Sequence, residues 1–247
     1  MNIVVIIPAY LPNDLTKQLY ERCINSVDNQ FIKIVVDDTI THKGVGNARN
    51  RGLDEAFKYD PDYITFLDAD DEFAKDAYSQ ILMATREASS APMIQLNHKR
   101  VFSNGKPTIL REPNKQGVYK LNGLPTLWMS VVNKVFKADF IRDMRFDTTI
   151  DHGEDEIFVL ECLCKCRTLY CSERVAMLHH KDNPNSLSTT PSLDSLLGEQ
   201  RALLDFLEKH QDDKQICEAI KIRQANLWRD NPTYKKVFEK LPSYNNR

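Results

Sequence analysis

The 247-residue sequence predicts an α/β fold: a mixed, mainly parallel sheet flanked by helices, with a helical appendage at its C-terminal end. Three observations predict it. Short apolar runs, rich in β-branched residues, alternate with stretches of helical spacing. The runs are apolar on both faces, as strands buried in parallel sheets are. From Ser192 onward the pattern is helical throughout. Strand–helix–strand alternation implies crossover connections and a sheet covered by its own helices.

Each element follows in order. Asn2–Ile7 is a buried strand, ended by Pro8-Ala9-Tyr10. Leu15–Asp28 has helical spacing, with Asn13 or Asp14 as its N-cap. Phe31–Val36 is a second buried strand, stopped by Asp37-Asp38, and Gly46–Tyr59 is a helix after a glycine-containing turn. Tyr63–Leu67 is a third strand that runs into Asp68-Ala69-Asp70-Asp71, and Ala74–Ser89 is the next helix. Met93–Phe102 and Gly117–Lys120 read as shorter, more polar strands around a turn-rich loop from Ser103 to Pro107. Val131–Phe136 is extended, Lys137–Asp143 and Glu154–Cys166 are helical, and Thr168–Cys171 and Arg174–His179 are two further strands. Leu193–His210 and Lys214–Trp228 form an antiparallel helix pair. The chain thus divides into a main domain over 1–190 and an appendage over 191–247.

Composition narrows the function classes. Hydrophobic content of 42% and charged content of 28% are ordinary for a soluble domain, and a net charge of −2 gives no global pull toward nucleic acid or membrane. The first apolar run is too short for a signal peptide, and none spans a bilayer. The expected location is the cytoplasm, at most peripheral to the inner face of the membrane. The six cysteines read as reduced thiols; Cys162-Leu-Cys164-Lys-Cys166 lacks the two-residue gap of zinc sites and lies on a helix. Residues 214–247 hold eight Lys/Arg against three Asp/Glu, either a solvated helix face or a patch for an acidic acceptor.

In open α/β sheets ligands bind beyond the carboxyl ends of the strands. Here those ends carry Pro8 and Tyr10, Asp37-Asp38, and Asp68 to Asp71. Crowded carboxylates repel unless a cation joins them, and hard oxygen ligands suit Mg²⁺ or Mn²⁺. Asp also caps turns, so the cluster alone is ambiguous; an apolar strand running straight into it favours the site. Gly44-Val-Gly46 opens the second helix and sets Arg49 one turn in, placed for phosphate or for the strand-end aspartates. Glu154-Asp155 starts an apolar helix, where a carboxylate either caps or accepts a proton from a hydroxyl. His179-His180 follows a strand and offers a metal ligand.

Together these residues resemble glycosyltransferase family 2, inverting enzymes of the GT-A fold, over about Met1 to Ser188. The elements are Val4-Val-Ile-Ile-Pro-Ala-Tyr10, Val35-Val-Asp37-Asp38, Gly46-Asn-Ala-Arg49-Asn50-Arg-Gly52-Leu53, Phe66-Leu-Asp68-Ala-Asp70-Asp71, Asn133-Lys134-Val-Phe136-Lys137 with Phe146, Gly153-Glu154-Asp155 and Asn185-Ser186-Leu-Ser188. The resemblance implies transfer of a sugar from a nucleotide diphosphate sugar, UDP-linked by expectation, with Mn²⁺ or Mg²⁺. It implies that Asp155 is the general base, and that Pro8, Tyr10, Asp37, Arg49 and Asp68 bind the donor. Asp70, with His180, would ligate the metal, and Glu154, Lys181 and Ser186 would touch the diphosphate or acceptor. The implied acceptor is an envelope saccharide; modified bases in phage DNA are the alternative, and a non-catalytic nucleotide- or glycan-binding module is the alternative of another class. The sequence departs from the family in two places. The link Thr39–Asn47 lacks a whole αβ unit, and Leu178-His-His-Lys181 replaces an aromatic-and-arginine segment.

Overall fold

A computed structural model describes residues 1–89, 91–102, 108–111, 115–121, 129–184, 186 and 191–221. Strand β1 (Ile3–Ala9) is buried along its whole length. It lies between β2 (Ile32–Asp37) and β3 (Tyr63–Phe66), parallel to both, with Ile6 opposite Ile34 and Phe66. The sequence predicts β2 buried on both faces. Instead Ile34 and Val36 are buried while Lys33 and Val35 are exposed, because β2 is the edge of the sheet.

Beyond β3 the direction reverses twice. β8 (Lys134–Lys137) runs antiparallel to β3 and to β5 (Met93–Val101), so β5 points the same way as β1. β9 (Thr168–His180) lies parallel to β5. β4 (Glu72–Phe73) pairs antiparallel with β9 at the far edge, and β6 (Ile109–Arg111) and β7 (Gly117–Lys120) pair with β5 and β9. The carboxyl ends of β1, β2, β3, β5 and β9 therefore share one edge with the start of β8. That shared edge is what positions the site.

β9 is one strand where the sequence predicts two. Ser172 and Glu173 contain no breaker, and the irregularity is absorbed as register slips against β5 on either side of Asn97.

The helices are α1 (Asp14–Ser26), α2 (Val45–Ala56), α3 (Ala77–Glu87), the short α4 (Ala138–Ile141), α5 (Glu154–Cys166), α6 (Leu193–Lys209) and a further helical segment, 214–221. Asn13 caps α1 in a reciprocal capping box with Thr16. Gly52 of α2 lets that helix settle on β1: a Cβ there would lie 2.3 Å from Ile6 Cγ2. Phe66 of β3 packs edge-on to Phe146, which stacks on Phe158 of α5 at 4.1 Å. Ile6 and Phe66 are register partners, so α2 and α5 cover the same face of the sheet.

α6 packs against α5. Its buried stripe is Leu196, Glu199, Gln200, Leu203 and Phe206. The basic stretch predicted over 214–247 falls almost wholly outside the described residues. The cysteines are free thiols, and burial raises Cys23, Cys162, Cys166 and Cys217, and Cys164 to about 12. No helix among the described residues is long and apolar enough to cross a membrane.

Candidate active site

A cavity of about 680 Å³ opens at the strand-end edge. Its floor is the turn after β3. One carboxylate oxygen from each of Asp68, Asp70 and Asp71 lies within 4.8 Å of the others. Burial, aided by the neighbouring aspartates, raises all three above the usual carboxylate range. A divalent cation with oxygen ligands relieves that repulsion, so the donor set fits Mg²⁺ or Mn²⁺.

Each of the three is held by a different element. Asp68 accepts from Arg49 Nη2 at 3.0 Å. Asp70 accepts from Asn183 Nδ2 at 2.8 Å. Asp71 accepts from the His180 backbone N–H at 2.8 Å and lies 3.0 Å from His179 Nδ1.

The histidine pair corrects one expectation. Successive strand residues point to opposite faces, so only His179 faces the carboxylates. His180 Nε2 lies 2.5 Å from Glu72 Oε2, and its ring joins Asp182 and Arg22 behind the site. His180 is thus turned away from the predicted metal position. Arg22 Nη1 reaches Asp182 at 2.5 Å and Nη2 reaches the Asp70 carbonyl at 2.7 Å, which ties α1 to the loop after β9.

Arg49 occupies the cavity wall but is only 3% exposed. Its two terminal nitrogens are taken by Glu154 and Asp68, and its guanidinium lies 5.5 Å from the Phe146 ring centroid. Burial alone would lower its charge affinity, but Asp68 and Glu154 hold it firmly cationic. Arg49 therefore joins the start of α5 to the end of β3. The sequence puts it near the nucleotide; the structure shows its charge already shared between two carboxylates. Burial raises Glu154, and Arg49 opposes that rise.

The next residue, Asp155, is half-buried, lines the cavity and makes no hydrogen bond to another described residue. Gly153 before it has φ +84°, and the side chain of Glu199 sits 2.5 Å from where a Cβ would be. Glu199, 2% exposed, reaches His152 Nδ1 at 3.0 Å. That hydrogen bond raises the His152 pKa, against the lowering effect of burial.

Pro8, Tyr10, Asp68, Asp70, Glu154, Asp155, Lys181 and Ser186 all line the cavity as the sequence predicts. Asp37 does not: its carboxylate is exposed and accepts from the Thr39 backbone N–H at 2.8 Å. Its neighbour Asp38 is buried and pins the short link to α2 through Thr41, Gly44 N and Arg51. With no further αβ unit in the link, β2 ends the sheet and Asp37 faces outward. Sequence reasoning missed Arg100, Asn183, His152 and Glu199. Only Glu199 carried a signal, a carboxylate on the apolar stripe of its helix.

Residues 12–127 match the family model described as glycosyl transferase family 2. The match takes in the acidic cluster and stops short of α5. No curated protein matches the chain. Among solved structures, residues 1–349 of S. aureus TarS superpose with a TM-score of 0.66 at 18% identity, covering 94% of this chain and 74% of that one. The same protein in complex with UDP-GlcNAc gives 0.65 at 17%, covering 89% and 72%. Its complex with UDP gives 0.61 at 17%, covering 89% and 71%. At such identities the likeness establishes the fold. The glycosyl transferase family 2 match, over residues 12–127, lies across the strand-end carboxylates of that fold, and the chain is a glycosyltransferase.

Proposed function

We propose that the cavity binds a nucleotide diphosphate sugar and transfers the sugar, with inversion, to an acceptor hydroxyl deprotonated by Asp155. The observation that carries this reading is that Asp155 opens onto the same cavity as Asp68, Asp70 and Asp71. A base on one wall and a cation-binding floor on the other are what in-line displacement at an anomeric carbon requires.

The roles follow from position. Pro8 and Tyr10 offer apolar and aromatic surface to a nucleobase. Lys181 and Arg100, at the ends of β9 and β5, supply positive charge to a diphosphate. Asp70, with Asp68 and Asp71, would hold Mg²⁺ or Mn²⁺, and the ion would offset charge on the departing diphosphate. His179 is the imidazole placed to join them. Glu154 fixes the base-bearing turn through Arg49, and Ser186 lines the rim. The S. aureus TarS complexes with UDP and UDP-GlcNAc support a uridine diphosphate donor. The catalytic unit then includes α6, which supplies part of the wall.

The test is a screen of UDP-sugars with Mn²⁺, read as released UDP with and without acceptor, on wild type and Asp155→Asn. The variant keeps donor affinity and loses about 10²–10⁴-fold in turnover, the usual worth of a positioned base. Near-normal turnover overturns the assignment.

A further inference from the structure

The two walls of the cavity carry opposite charge. Arg100 and Lys181 stand at the ends of the parallel pair β5 and β9, and burial, with the nearby Arg100 second, lowers the affinity of Lys181 for its proton. The opposite wall is built from the turn before α5 and from α6. It presents Asp151 and Asp155, with His152 beside them and the buried carboxylates of Glu156 and Glu199 behind. Glu154 lies there too, but Arg49 neutralises it.

His152 is held in a specific way. Its Nδ1 is bound to the buried carboxylate of Glu199, which fixes the ring. Its Nε2 has no partner among the described residues. Glu199 reaches the ring only because position 153 has no Cβ. A buried carboxylate, a glycine that admits it and an imidazole on the cavity wall, three positions before the base, form a built arrangement rather than a surface pair.

We infer that His152, oriented by Glu199, binds the acceptor, and that the acceptor is an uncharged, hydroxyl-rich saccharide where it meets this wall. The inference rests on the sugar-transfer reading above and names its second substrate. Sugar hydroxyls both donate and accept, so they suit a wall of carboxylates with one imidazole donor. A phosphate or uronate placed there would face several carboxylates at once, and like-charge juxtaposition of that kind rejects a ligand. His152 would touch substrate; Glu199 acts through His152 and is a positioning residue.

The experiment uses the full chain with UDP and Mn²⁺. Methyl β-glycosides of glucose, galactose and N-acetylglucosamine are compared with methyl β-glucuronide and glucose 6-phosphate by saturation-transfer NMR. At least one neutral glycoside binds and the two anions do not. His152→Ala weakens the neutral glycoside about threefold to tenfold, the worth of one hydrogen bond. UDP affinity stays unchanged, and Glu199→Gln gives a smaller loss of the same kind. If His152→Ala also loses UDP binding, His152→Gln, which keeps the bulk, is judged by the same comparison. Binding of the anions as well as the neutral sugars, no binding by any neutral sugar, or neutral binding indifferent to His152 each overturns the inference. Absence of UDP release in the donor screen would instead defeat the transfer reading, and the glycoside comparison would stand apart from it.

Discussion

Arg49 shows how one residue can be read correctly for place while only one of its two partners is foreseen. Its motif located it at the start of α2, but nothing in the sequence said that both ends of its fork were already occupied. Arg49→Met leaves buried Glu154 and half-buried Asp68 uncompensated, and urea unfolding should show a loss of about 3 kcal/mol. Arg49→Lys, a point charge that cannot bridge both carboxylates, should fall between. Glu199 makes the opposite case: its wrong-looking place on an apolar stripe was the legible sign of a buried partner. Because Glu199 raises the His152 pKa above its ordinary 6.5, the folded chain holds that proton more tightly than the unfolded one. The stabilisation is complete below 6.5 and is lost as pH rises through the folded-state value. The difference in Tm between wild type and Glu199→Gln should therefore be largest near about pH 6 and shrink toward about pH 8.5. A constant difference would mean that the pair does not couple to protonation. The same scale explains His179 and His180. Their order was visible, but which one faces the carboxylates depends on strand phase, and phase is fixed by a register with β5 that no local pattern encodes.

At the level of elements, the first three strands and the helices between them were legible because they are apolar, β-branched and bounded by Pro, Gly and Asp. The middle of the chain was less so. β4 and β6 are two- and three-residue pieces that exist only because β9 and β5 offer an edge. β9 read as two strands because Ser172 and Glu173 interrupt the apolar pattern, while the backbone carries through on a bulge. Two glycines distinguish packing from site assembly. Gly52→Ala drives a Cβ into fully buried Ile6 and should cost about 1–3 kcal/mol of stability with the remaining folded protein fully active. Gly153→Ala meets Glu199 and a left-handed backbone at once. It should displace α6 from the base-bearing turn and cut turnover at least about tenfold, beyond what its stability loss explains. Chemical denaturation and kinetics on the two variants separate the cases; equal behaviour would show that Gly153 serves packing alone.

Across the whole molecule, the parallel directions of β1, β2, β3, β5 and β9 bring five strand ends to one edge, and that convergence was the strongest prediction the sequence made. A helical pattern, by contrast, says nothing about what the helix rests on. Leu203 and Phe206 are buried, and Glu199 belongs to the cavity wall. A chain ending at residue 190 should therefore expose the apolar surface that α6 covers on α5, aggregate or melt well below the full chain, and show no transfer. A truncated chain that folds and turns over normally would restore α6 to the status of an appendage. The placement of Glu199 also has a consequence in time. During synthesis Asp68, Asp70 and Asp71 leave the ribosome well before the carboxylate beneath Gly153. The cation-binding floor can thus form before the wall that faces it, and that wall is complete only once α6 has been made.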